Sequence, residues 1–245
     1  NFFIMKKLFY LVIISFMFAA CAKQVDFYPV CQHEIRLHAT IDSKNTKSYI
    51  CFDGTYEWSP NDAIGVFGNK SNNDFFEYKS KSVFIGFVPD AEDSLKYAYY
   101  PYSEQVEFKD SIFIFNISKE QRAENGNNAP MFGNIQNSSI KFRYLGGVLC
   151  LRLAGSWGCF DRVSIVSEGE KSPCLSGTAV VNNIYADNCI YEIENGSKEI
   201  AYEFNVRSNI NLLYVPLQVG EYEKLHVRIY HKGELLADRS MSNFM

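Results

Sequence analysis

Glu34-Ile35-Arg36-Leu37-His38-Ala39-Thr40-Ile41 alternates polar and apolar side chains without a break. Successive side chains of an extended strand point to opposite faces, so this spacing writes one wet face and one buried face. A helix would need its apolar residues three and four apart. The same period of two recurs on the C-terminal side. Ala63-Ile64-Gly65-Val66-Phe67-Gly68 is denser and reads as a central strand. Residues 75–78 and 82–88 flank the polar Lys79-Ser80-Lys81 as a hairpin would. Leu95-Lys96-Tyr97-Ala98-Tyr99-Tyr100 is a further strand, stopped by Pro101, which has no N–H to give to a ladder. Residues 111–117 alternate again. A polar stretch, residues 118–129, reads as a crossing between two domains. Strand patterns restart at 140–145 and 148–153, then at 162–166, 178–181, 190–193, 200–206, 212–216 and 225–230. Asp53-Gly54, Ser59-Pro60 and Asn125-Gly126 punctuate them. Residues 118–123 and 142–153 also admit a helical reading, which β-branched and aromatic content opposes in the second. The expectation is an all-β body of two sandwiches placed end to end.

The N-terminal region carries a different message. Met5-Lys6-Lys7 is a short positive start, and residues 8–17 form an apolar run of about ten, the length of a secretory core and short for a bilayer span. Phe18-Ala19-Ala20-Cys21 follows, two small residues ahead of a thiol. This resembles a lipobox, with Phe18 where an aliphatic residue is usual. The expectation is a lipoprotein signal over residues 1–20, with 1–4 lying upstream of the true start. Cys21 is then the acylated first mature residue, and 21–33 a lipidated tether. The plainer alternative is an ordinary cleaved signal with an incidental cysteine.

The formal net charge is −4, and two units more negative once Lys6 and Lys7 are removed. A mildly acidic chain without a Lys/Arg run has no electrostatic footing for nucleic acid. Beyond Cys21 there are six further cysteines, 31, 51, 150, 159, 174 and 189, with no C-x-x-C pair. Disulfides, with a pair inside the 150–189 group favoured, stand against small buried thiols filling the core.

The usual catalytic signatures are missing. His33, His38, His226 and His231 do not form H-E-x-x-H, and the last two read as surface groups. No G-x-S-x-G, P-loop or dinucleotide fingerprint occurs. Asp90-Ala91-Glu92-Asp93 and Ser71-Asn72-Asn73-Asp74 are oxygen-rich without calcium-loop spacing, and read as solvated loops. No catalytic residue, metal or cofactor is expected.

Tyr56-Glu57-Trp58 followed by Asn61-Asp62-Ala63-Ile64-Gly65-Val66-Phe67 resembles the entry signature of fimbrillin-like proteins, the pilus subunits and pilus-associated lipoproteins of gut and oral anaerobes. Tyr97-Ala98-Tyr99-Tyr100-Pro101-Tyr102 is similar to their tyrosine-rich strand. Ala129-Pro130-Met131-Phe132-Gly133, the run from Ile140 to Leu149, Leu175-Ser176-Gly177, Tyr214-Val215-Pro216-Leu217 and Gly220-Glu221-Tyr222 follow in the family's order. Trp58 then reads as an indole capping a sandwich end, and Asp62 as closing the turn into a strand. Tyr97, Tyr99 and Tyr100 read as rings at the sheet surface with wet hydroxyls.

The resemblance implies two tandem transthyretin-like β-sandwich domains, 34–136 and 137–245, the second incomplete at its C-terminus. It also implies a fimbrial surface lipoprotein of the outer membrane, joined to other pilus subunits by strand addition. The first strand, residues 34–41, is then either an exchangeable element, tethered by polar residues 42–48 that could release it, or simply an edge strand, permanently paired. Arg36, Lys44 and Lys47 are candidate cleavage points for a trypsin-like protease. Asp93-Ser94-Leu95 and Asp110-Ser111-Ile112 resemble O-glycosylation sites, with Ser94 and Ser111 as acceptors. The alternative is a monomeric outer-membrane lipoprotein that binds host or dietary glycans through surface aromatics.

Overall fold

A computed structural model describes residues 32–41, 58–123, 129–154, 159–186, 189–204 and 210–244. Among them the chain forms eighteen strands and no α-helix, so the body is all-β. The first strands are β1 (His33–Ile41), β2 (Ala63–Gly68), β3 (Asn72–Ser80), β4 (Val83–Val88) and β5 (Leu95–Tyr100). β9 (Met131–Gln136) and β10 (Ser139–Tyr144) join them in a closed barrel, in the order β1-β10-β9-β5-β2-β3-β4. Every neighbour is antiparallel except β1 and β10, which run parallel.

The remaining strands form three further sheets. β6 (Glu107–Lys109) and β7 (Ile112–Ile117) join β13 (Ser176–Val181) and β14 (Glu192–Ser197). β8 (Glu120–Arg122), β12 (Arg162–Glu168), β15 (Glu199–Glu203), β17 (Tyr222–His231) and β18 (Glu234–Phe244) make a five-stranded sheet, ordered β18-β17-β12-β15-β8. β11 (Gly147–Ala154) pairs with β16 (Ile210–Leu217). All of these strands belong to one compact unit, Gln32–Met245.

The expected division between residues 136 and 137 therefore runs through the β9–β10 hairpin. The chain leaves the barrel after β5, lays β6 to β8 into the other sheets, and returns at β9. Within the stretch read as a crossing, β8 pairs with β15, and the next described strand, β9, lies in the barrel.

Alternation explains the two cores. Inside the barrel lie Leu37, Ala39, Ile64, Val66, Phe76, Phe84, Ala98, Tyr100 and Phe142. The outward residues of β2, β5 and β9 (Phe67, Tyr99 and Phe132) are buried too, packed on Phe108 and Phe113 from the other sheets. That wall is covered on both sides, which is why β2 reads as a dense apolar run rather than an alternating one. A Cβ on Gly65 would overlap the Tyr99 ring, so glycine there makes room for the second layer.

Tyr99 and Tyr100 are each only 2% exposed, against the expectation of wet rings at the surface. Tyr99 Oη lies 2.6 Å from Asn73 Oδ1 and 2.8 Å from Ser103 O, so burial in this case brings specific partners. Asp62 acts as the sequence suggests. The Trp58 indole packs on Phe84, Tyr100 and Phe142 of the barrel core, with centroids 4.9, 5.4 and 5.8 Å away. Asp62 Oδ2 accepts the Ser59 N–H at 2.7 Å, fixing the turn into β2.

Four hairpins close with two residues at positive φ: Lys81–Ser82, Asp110–Ser111, Asn137–Ser138 and Lys232–Gly233. These left-handed pairs match the twist of the strands they join. The last of them launches β18, a strand the sequence pattern did not announce.

Candidate functional site: the closing strand of the barrel

β1 closes the barrel by bridging two strands that are not paired with each other. His33 to His38 pair with Val88 to Val83 of β4, and His38 to Ile41 pair with Ser139 to Phe142 of β10. Only His38 has a partner in both. Its N–H donates to Ser138 O at 2.9 Å, and that of Ala39 to Ser82 O at 2.8 Å. β1 is thus a shared strand, not the simple edge strand weighed from sequence. Its grip on each neighbour covers only part of its length. The inward side chains Ile35, Leu37, Ala39 and Ile41 fill the barrel, and Leu37 and Ala39 are sealed from solvent.

The outward face of β1 carries Glu34, Arg36, His38 and Thr40. Arg36 is 68% exposed at its side chain, and its guanidinium lies 2.9 Å from Glu34. Its Cα is paired with that of Ile85, so a protease would meet it within a ladder. Lys44, Lys47 and Cys21 lie outside the described residues. Of the two candidate O-glycosylation residues, Ser94 is exposed at the start of β5, and Ser111 is half-buried in the β6–β7 turn. The Asp93 carboxylate accepts the N–H groups of Lys70 at 2.9 Å and Ser71 at 2.7 Å. Burial pushes this carboxyl up, but the Ser71 hydroxyl and the backbone N–H groups of residues 69–71 hold it below the usual range. Asp90 pairs with Lys70, so this acidic loop staples the β2–β3 turn.

Two surfaces escaped the sequence reading. Phe75 and Phe87 are 48% and 53% exposed on the outer face of β3 and β4, with Tyr102 packed edge-on to Phe75 at 4.9 Å. The outer face of the five-stranded sheet carries ion pairs instead. Arg162 forks onto Glu120 at 2.7 and 2.9 Å, and Glu199 meets Lys119 at 2.8 Å and Ser164 at 2.7 Å. His226 is buried among them, a correction to its reading as a surface group. β16, β11, β14, β6, β8 and β18 each have one strand neighbour among the described residues. β18 is the longest of these edges and carries the exposed Leu235 and Leu236.

No disulfide forms within the 150–189 group, because Cys159, Cys174 and Cys189 are all thiols. Cys189 is buried in the core, the other outcome weighed from sequence. The Tyr97 phenol is pushed up to about 12 by its hydrogen bond with Tyr185 and by burial, so it stays neutral at physiological pH. Among the described residues, no group of three or more His, Cys, Asp or Glu side chains is placed to hold a metal ion.

No family model, curated protein or solved structure matches this chain.

Proposed function

We propose that this chain is a cell-surface structural and adhesion lipoprotein: a pilus subunit, tip or anchor, lipid-tethered at Cys21 in the outer membrane. It assembles through β-strand addition, without catalysis or a cofactor, and its two strand groups are variants of the transthyretin-like sandwich. The supporting observation is the position of β1. It is the first described strand and completes the barrel by bridging β4 and β10. Its loss would leave a groove with unpaired backbone groups on both walls and apolar sites vacated by Ile35, Leu37, Ala39 and Ile41. An extended segment of the same alternation fits such a groove, with backbone bonds supplying affinity and alternate side chains supplying specificity. Exposed Ser94 and the turn at Ser111 suit glycan attachment on an outward surface.

The test is detergent extraction of the producing cells, followed by mass spectrometry and gel electrophoresis without boiling. The reading expects an acylated Cys21 as the N-terminus, and a ladder of oligomers that collapses on boiling. An unmodified Cys21 together with a monomer in every fraction would remove it. The exposed pair Phe75 and Phe87 favours the second reading, a monomer binding glycans on aromatic faces. That reading expects glycan-array binding that Phe87→Ala abolishes.

A further inference from the structure

His226 sits on β17 between carboxylates from the two strands that flank it. Its Nδ1 lies 2.7 Å from Asp238 Oδ1 on β18, and its Nε2 lies 3.1 Å from Glu168 Oε2 on β12. The imidazole is only 11% exposed, whereas Asp238 and Glu168 are 34% and 45% exposed. Nε2 itself is buried and has no well-aligned hydrogen-bond partner. Water therefore does not solvate it, and the nearest group is an anion. A neutral imidazole has one N–H and one lone pair, and an imidazolium has two N–H groups. With a single proton, one of the two nitrogens must face a carboxylate lone pair to lone pair. With both, each carboxylate faces an N–H rather than a lone pair.

The surrounding charges are few. On β17, Arg228 reaches Asp238 at 3.2 Å and Glu168 at 3.6 Å, and Lys224 lies 3.9 Å from Glu168. On β12, Val166 stands opposite His226, and Arg162 at the far end is committed to Glu120. On β18, Ser240 is opposite His226. From β15, Glu199 is held by Lys119 and Ser164. The Arg228 guanidinium stays cationic, and imidazole is the side-chain type here whose charge ordinarily changes near neutrality.

We propose that His226 is a pH-dependent clasp binding the edge strand β18 to the sheet, closed when its imidazole carries both protons. Deprotonation turns Nε2 against Glu168, whose half-exposed side chain swings to water, and the bond to Asp238 loses its charge assistance. β18 has no other strand neighbour among the described residues. Its hold on the sheet loosens as pH rises, while Arg228 keeps it from detaching. The clasp does not depend on the proposed role in assembly.

The test is hydrogen exchange of β18 in the full chain between pH 5.5 and 8.5, read by mass spectrometry and corrected for intrinsic chemical rates. The wild type should exchange about three- to tenfold faster at the upper pH, the size expected when a charge-assisted bond is weakened. Glu168→Gln removes the anion facing Nε2 and should flatten the dependence, as should His226→Gln. Glu168 is exposed enough that its variant folds even if the histidine variant does not. Corrected protection of β18 that is the same at both pH values in the wild type overturns the clasp. So does an unchanged dependence in Glu168→Gln, which would assign the effect to His33, His38 or His231.

Discussion

The hydroxyl of Tyr100 donates to Asp62 Oδ1 across 2.8 Å inside the barrel, with both residues almost wholly buried. The bond joins the end of β5 to the turn that starts β2, and Asp62 Oδ2 holds that turn through Ser59. A hydrogen bond to a buried carboxylate contributes more than an ordinary one. Tyr100→Phe should lower unfolding free energy by about 1–3 kcal/mol. Urea denaturation measures it, and an unchanged midpoint would show that the bond contributes nothing.

Gly65 faces the Tyr99 ring at the junction between the barrel wall and the second layer. Added volume in a packed core forces side chains off their rotamers. Gly65→Ala should destabilise by about 1–3 kcal/mol or more. Thermal melts read the effect, and the double variant Gly65→Ala/Tyr99→Leu should recover part of it.

Asp93 supplies an acid-side prediction. Its carboxyl is held below the ordinary range in the folded chain, so its contribution to stability is complete above the unfolded value, near pH 4. That contribution is lost as pH falls through the lower folded value. Asp93→Asn should have a lower melting temperature at pH 7. The gap to the wild type should narrow on acidification below about pH 4, as melts across a pH series would show.

Cys159, Cys174 and Cys189 should each alkylate in denatured, unreduced protein. Peptide mapping checks this. A mass loss of two hydrogens joining any two of them would restore the disulfide weighed from the sequence.

Period-two spacing made the strand content legible because each half-covered strand must show one face to water. β1, β4 and β7 alternate, and their inward residues are those the pattern selects. Asp62 was legible because a turn-closing carboxylate leaves a local signature. The layering was not. Whether Tyr99 faces water depends on which sheet lies over β5, and that sheet is built from strands both before and after the barrel closes. β18 escaped for a related reason. Glu234-Leu235-Leu236-Ala237 has no β-branched residue, and the Lys232–Gly233 turn with a ready partner in β17 makes it a strand. The boundary at 136/137 falls inside the β9–β10 hairpin, and that pairing leaves no mark in the polar residues from which the boundary was read. Of the candidate site, the sequence showed that the first strand alternates, but not that it bridges two neighbours. Parallel pairing with β10, about a hundred residues on, leaves no local trace.

The central claim is that β1 is a replaceable closing strand. Limited trypsin digestion of the folded protein, followed by hydrogen exchange of β4 and β10 with and without a synthetic peptide of sequence HEIRLHATI, tests it directly. The account predicts that losing β1 exposes the amides of 83–88 and 139–142 while the five-stranded sheet stays protected, and that the peptide restores them. A β1 that resists trypsin until the whole chain unfolds, or a groove that the peptide fails to protect, would contradict it.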